Sequence, residues 1–491
     1  MSKLSHILLT LQIQFMLITS KNILVYTPLP FYSHQTAYNP LWKSLARLGH
    51  NLTILTLNPM KETHENIHQV NLEELYDFWK RNNAFEIFSS GEQTWKNIFT
   101  IYELSFQMVD LELGHPEVKA LINGDRKFDL VITEFYLTLG VGFAWRFNCS
   151  WIGVVSMDLN HDKHALLGNP MHPVLYPAFD LGMSSKEPLT FKQRFISCIY
   201  YVFWNICSKY FNLKQDALLK KHFGPNVPSL QKLEKTVSLV MTNSNPIFHK
   251  ARPLGPKTIN IGGGLQIAQS NTLPEEISRF LDKSVEGIIY FSLGSNIQSS
   301  KLSKQTICVL LETFAQLPYK ILWKFDLEEN IMKMPSNVFT RKWFPQQYII
   351  GHPHVILFIT QGGLQSLEEA VFNSVPVLVL PFFGDQFLNA QKVLEHGLGL
   401  VLDHKKLGIA EFKTAIEEII ENSRYKEAIT NVSRWWLDRP LSALQEAAWW
   451  TEFVLRHHLE MGSNDKKLVQ SESYFFSVFV IICLVYMLFY R

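Results

Sequence analysis

Cysteine is scarce in this 491-residue chain, and the five present (Cys149, Cys198, Cys207, Cys308 and Cys483) are too scattered for a disulfide framework. Cys198 and Cys207 could pair, but two buried thiols are the simpler reading. No Cys-x-x-Cys and no His-rich metal spacing occurs; His161, His164 and His172 lack the carboxylate–His spacing of a metal site and read as solvated loop. Net charge is also nearly absent, with 46 Lys and Arg against 44 Asp and Glu, so nothing points to nucleic acid or to acidic partners. The first strand lacks a following Gly-x-Gly-x-x-G with an acid about 20 residues on, which disfavours a dinucleotide-dependent oxidoreductase.

What the chain does carry is a dense stretch from Trp343 to Gln386. Residues 355–360 are β-branched and aromatic, as in a parallel strand buried on both faces. Gly362-Gly363 breaks the run and lets backbone approach a ligand. Residues 365–372 read as a helix, with Ser366 in its first turn and Glu369 three residues on, on the same face. Residues 377–380 form a second buried strand, and Asp385 stands at an N-cap position before a helix that stops at Gly397. A helix start offers free N–H groups and partial positive charge, which suit a diphosphate. Ser366 can donate to phosphate, Glu369 can accept from ribose hydroxyls, and Asp385-Gln386 can grip the hydroxyls of a sugar. Ligands of open α/β sheets sit beyond the carboxyl ends of strands, where these groups converge. The pattern reads as a nucleotide-sugar site.

Earlier in the chain, residues 22–26 read as a buried strand and 39–48 as a helix, which leaves His34 in a loop at the sheet's carboxyl edge. A neutral imidazole there can take a proton from a hydroxyl. Residues 128–134 read as another strand, with Asp129 at its start and Glu134 at its exit. Residues 58–121 have helical spacing, and residues 161–186, rich in Pro, Gly and His, read as long loops. Residues 189–219 form a helix loaded with aromatics, too interrupted by charge to span a bilayer but able to lie against one. After a strand at 238–243, Pro253, Gly255, Pro256 and Gly262-Gly263-Gly264 read as a linker, stiff and then flexible. A second Gly/Ser loop, Ser292-Leu293-Gly294-Ser295, follows a strand at 287–292.

Thr360-Gln361-Gly362-Gly363, Ser366, Glu369, Pro376, Pro381 and Asp385-Gln386, at these fixed offsets, resemble the signature of the UDP-glycosyltransferase family. The resemblance implies an α/β GT-B fold, two Rossmann-like domains facing a cleft: an acceptor domain at 21–245, a linker at 246–285, a UDP-sugar domain at 286–434, and a C-terminal helix at 435–460 packing back on the first domain. It implies His34 as the catalytic base, oriented by Glu134 where members usually carry Asp. Ser292, Gly294, Ser295, Gln361 and Gly363 would touch the diphosphate, with Arg252 near it; Trp343 would stack on uracil and Gln346 would read the base edge. Gln361 stands where many members have His, and can donate to phosphate without carrying charge. With no Asp-x-Asp in the chain, the expected reaction is inverting, metal-independent transfer of a hexose to a hydroxyl of a small lipophilic acceptor. No cofactor is implied, since the UDP-sugar is a co-substrate. The likeness to invertebrate members favours UDP-glucose, with UDP-glucuronate open. The rival reading is a membrane-anchored homologue that binds nucleotide sugar and lipophile without turnover.

Both ends point to membranes. Residues 1–20 have Lys3 and an apolar stretch, as a signal peptide would, and residues 474–490 are uncharged and apolar before Arg491, as a transmembrane helix would be. Sequons at Asn51, Asn148 and Asn431 fit a lumenal body. The expectation is a single-pass protein of the endoplasmic reticulum membrane, with a homo-oligomer left open and Arg491 a minimal tail for retention.

Overall fold

Short Val-, Ile- and Leu-rich runs supply the strands of two parallel sheets, and the helices between them cover both faces of each. The computed structural model describes residues 20–457, apart from residue 29 and positions within 85–94, 179–187, 246–250, 268–274, 283–285, 296–301 and 327–332. The signal-peptide and transmembrane expectations, at 1–20 and 474–490, therefore fall outside the described residues, save residue 20. Among the described residues no helix is long and apolar enough to cross a membrane.

The first sheet contains β1 (Asn22–Tyr26), β2 (Asn51–Thr56), β3 (Ile67–Asn71), β4 (Leu130–Glu134), β5 (Ser150–Val155), β6 (Leu239–Thr242) and β7 (Thr258–Asn260). Their order is β3-β2-β1-β4-β5-β6-β7. The second contains β8 (Ile288–Ser292), β9 (Lys320–Lys324), β10 (Val338–Arg341), β11 (Val355–Thr360), β12 (Val377–Val379) and β13 (Gly399–Val401), ordered β10-β9-β8-β11-β12-β13. Strand order reverses between β1 and β4 and again between β8 and β11. Such switch points open a crevice at the carboxyl edge, where α/β proteins bind ligands.

Each sheet is packed on two apolar layers. Leu24, Val131 and Phe143 belong to one layer of the first sheet, and Val25, Ile132 and Trp42 to the other. Each fully buried side chain of this size contributes about 1.5–3 kcal/mol relative to exposure. The helix Ala443–His457 joins the second of these layers through Ala447 and Val454, and its Glu452 pairs with His50. The preceding helix Ser423–Leu437 packs through Ile429 and Trp436 against the second sheet. The chain thus crosses to the first domain after Trp436, later than the boundary at 435.

Several expectations are corrected. Strand β3 lies inside 58–121, where helices alone were expected; its half-polar sequence IHQVN suits a sheet edge, not a core. Strand β7 lies inside the supposed linker at 246–285, so the first sheet continues past residue 245. Gly262–Gly264 is not a loose spacer: Gly263 has φ +124°, and a Cβ there would stand 2.6 Å from Trp436 Nε1. Residues 161–166 form a helix whose His161 and His164 are buried, not solvated, against Tyr176 O and Asp158.

Candidate active site

One cavity of about 600 Å³ runs between the carboxyl edges of the two sheets, lined by His34 and Glu134 from one side and Ser366, Glu369 and Asp385 from the other. Direct contacts hold the halves together around it. Tyr32 meets Trp343 edge to face at 5.1 Å, Gln365 Nε2 donates to Ser156 O at 3.1 Å, and Asn243 Nδ2 donates to Glu368 Oε2 at 3.0 Å.

His34 follows β1 in a single helical turn, Tyr32–Thr36, instead of the expected loop. Its ring leans on Phe31 at 5.2 Å, and Phe31 is wedged edge-on against Trp79. The ring is half-buried, and that burial pulls His34 down to about 4, so it is a neutral imidazole at neutral pH. Glu134 ends β4, the neighbouring strand, and lines the same cavity. Among the described residues neither of its carboxyl oxygens has a hydrogen-bond partner, so the expected His34–Glu134 hydrogen bond is not made. The Phe135 N–H beside Glu134 donates to Val154 O. Burial pushes Glu134 up to about 8, which leaves it protonated at neutral pH.

On the opposite side, the helix Leu364–Phe372 presents two polar faces. Gln346 Nε2 donates to Ser366 Oγ at 3.0 Å and to Glu369 Oε2 at 2.7 Å, while Gln347 Nε2 donates to Glu369 Oε1 at 3.1 Å. Tyr290 Oη donates to Gln346 Oε1 at 3.3 Å and completes the chain. Gln365 and Glu368 face the first domain, with Gln266 Nε2 donating to Glu368 Oε2 at 2.9 Å. Burial raises Glu368 and Glu369 to about 7. The N–H groups that open this helix follow Gly363, its N-cap.

The two glycine loops interlock beside that helix start. Gln361 takes a hydrogen bond from Thr360 Oγ1 at 3.0 Å, and its Nε2 lies against Gly294, which has φ +74°. A Cβ at Gly294 would collide with that nitrogen. Gly294→Ala should therefore strain the turn and push Gln361 aside, with at least about a tenfold loss of nucleotide affinity in calorimetry and little change at saturating ligand. Ser292 Oγ accepts from Gly294 N at 3.3 Å, and Ser295 is exposed on the rim. Trp343 is 53% exposed and lines the cavity.

Asp385 and Gln386 lie beyond β12, as expected, but not in the expected geometry. Asp385 makes no side-chain cap; its Oδ2 accepts from Asn389 Nδ2 at 2.8 Å, and burial raises it to about 6. Gln386 Oε1 accepts from Phe382 N and Phe383 N at 2.8 and 3.1 Å, so only its NH₂ side remains to meet a sugar. Arg252 is not among the cavity-lining residues; its guanidinium lies 4.7 Å over the Tyr176 ring. Among the described residues no group of three His, Cys, Asp or Glu side chains could hold a metal ion.

This geometry can be set beside known proteins. The family model described as "UDP-glucoronosyl and UDP-glucosyl transferase" matches residues 31–491. The chain belongs to that family. It is a UDP-glycosyltransferase, which transfers sugar from a UDP-sugar donor to an acceptor. A protein named UDP-glucosyltransferase 2, from Dactylopius coccus, is 32% identical over 89% of this chain and 84% of its own length. An ecdysteroid UDP-glucosyltransferase of Lymantria dispar multicapsid nuclear polyhedrosis virus is 31% identical over 89% of this chain and 88% of its own. The solved glycotransferase of kitacinnamycin superposes with a TM-score of 0.59 over 90% of this chain and all of its own, at 15% identity, a likeness of fold. The two facing parallel sheets are the GT-B arrangement.

In this UDP-glycosyltransferase the structure adds residues to the site that sequence reasoning passed over. Tyr32, Gln347, Gln365 and Glu368 hold the two halves or the polar chain in place. Lys324, the last residue of β9, reaches the cavity too. Its position at a strand's carboxyl end was the available signal.

Proposed function

We propose that this enzyme transfers glucose, with inversion, from UDP-glucose to a hydroxyl of a small lipophilic acceptor. The observation that carries the reading is that His34 shares one cavity with Ser366, Glu369 and Asp385. His34 accepts the acceptor proton as the hydroxyl oxygen bonds to the anomeric carbon, and the bond from that carbon to the diphosphate breaks to release UDP. Asp385 and the Gln386 NH₂ group position the sugar, Glu369 takes the ribose hydroxyls, and Trp343 stacks on uracil. The departing charge meets the helix start at Leu364, with Ser295, Ser366 and Gln361, so the step is read as metal-independent and without cofactor.

Phe31, Ile101, Tyr102, Leu137, Met157 and Trp204 line the His34 end of the cavity and favour an apolar acceptor. Relatives named as UDP-glucosyltransferases support glucose over glucuronate.

Glu134 supports His34 only when ionised. Ionisation removes a proton that burial holds to about pH 8, so the rate rises with pH through a midpoint near 8 and levels about a unit above it. Incubation with UDP-glucose and a panel of phenols, with UDP release followed from pH 6 to 9, checks this. A Glu134→Gln protein loses the rise. Tight UDP binding with no release at any pH would favour the non-catalytic binder instead, a reading motivated by the uncharged Gln361 and by Glu134, which makes no hydrogen bond to His34.

We also place the protein in the secretory pathway, on the endoplasmic reticulum membrane with its body in the lumen. Asn51, Asn148 and Asn431 are all exposed, as glycan attachment requires. The helix Phe191–Phe223 leaves Phe191, Ile206 and Leu213 65–85% exposed, a stripe suited to a membrane surface.

A further inference from the structure

The donor loops bring N–H and hydroxyl donors, but no full positive charge, to this cleft. Glu134, Glu369 and Asp385 line it, and Gln361 adds no charge. Among the described residues that line the cavity, Lys324 is the sole lysine or arginine. Its Nζ donates to Gly294 O at 2.5 Å, on the loop that would hold phosphate, and lies 4.8 Å from the centroid of the Trp343 ring. An ammonium has three N–H donors, and here one meets a carbonyl while the ring takes up charge. Among the described residues no carboxylate completes the set: Asp326, two residues on, acts on Lys324 through its charge.

We propose that Lys324 is the cation of the donor site, resting on Trp343 and Gly294 in the free protein and moving to the diphosphate when a nucleotide's base takes the Trp343 ring. The proposal rests on the reading of this cleft as a UDP-sugar site. Its physical content is an exchange. A base alone displaces the ammonium from the ring without compensation. A base carrying a diphosphate offers the ammonium a better partner close by, since charge-assisted contacts to phosphate are about twice as strong as neutral ones. Burial supports the picture, because it holds Lys324 down to about 8 and leaves a charged group poorly satisfied where it rests. The exchange makes affinity depend steeply on the phosphates, and it supplies the positive charge that Gln361 lacks.

Calorimetry of the full chain with UDP, UMP and uridine tests this in the native protein, Lys324→Met and Lys324→Arg. The Met variant should bind UDP about 10- to 100-fold more weakly, UMP with a smaller loss, and uridine as well as the native protein or better. The Arg variant should keep most of the native preference for UDP over uridine. Unchanged UDP affinity in the Met variant overturns the assignment while the UDP site stands. Equal losses for uridine and UDP overturn it too, by assigning Lys324 a structural role. A native protein that binds no UDP overturns the reading of the site, and the assignment with it.

Discussion

The His34→Ala protein turns over about 10²- to 10⁴-fold more slowly than the native enzyme and binds UDP as tightly. The size follows from the lack of a substitute. Glu134 is the other proton-accepting group at that end of the cavity, and burial keeps it protonated up to about pH 8. Removal of the imidazole leaves the acceptor hydroxyl without a base at neutral pH. The fold should tolerate the change, because the ring is half-buried, lines a cavity, and among the described residues makes its aromatic contact with Phe31 alone. UDP release at saturating donor and acceptor is the measurement, with UDP titration as the control. A residual rate within a few-fold of native would move the base elsewhere.

Glu369→Ala weakens UDP binding by about 2–3 kcal/mol, roughly 30- to 150-fold, and lowers turnover at saturating donor much less. Glu369 is the acceptor on which two amides converge, Gln346 Nε2 at 2.7 Å and Gln347 Nε2 at 3.1 Å. Its loss strips a ligand's hydroxyls of a carboxylate and leaves both amide groups short of a partner. Glu369→Gln keeps the volume and one acceptor oxygen, and should fall between the two. An alanine variant with native UDP affinity would show that this carboxylate serves only the packing of the loop at Gln346-Gln347.

How much of this was legible from the chain depends on how local each feature is. The unit from Val355 to His396 was, because strand, glycine turn, helix and strand follow one another with short connections, so spacing in sequence is spacing in space. Its helix begins at Leu364 and stops at Phe372, within a residue of expectation. Strands β7 and β13 were not legible: their sequences, TIN and GLV, lack an apolar run like the one at 377–380, and both exist by pairing with a neighbour already in place. The buried helix at His161–Leu166 was hidden by polar residues whose partners lie outside it: Asp158 and Tyr176 in the flanking loops, and Glu234, 71 residues on from Lys163.

Residue order alone determined the donor cradle, since Gln361, Gly363, Ser366 and Glu369 sit on one turn and one helix whose geometry is local. It also determined that His34 and Glu134 leave strands at the same sheet edge. Tertiary structure decided everything that joins separate units: that β4 lies beside β1, that Lys324 rests on Trp343, that Glu368 reaches Asn243, and that His34 and Glu134 make no hydrogen bond. The reason is that such contacts depend on strand order and on how two sheets face each other. Those are set by long-range packing over both sheets, and no local spacing encodes them.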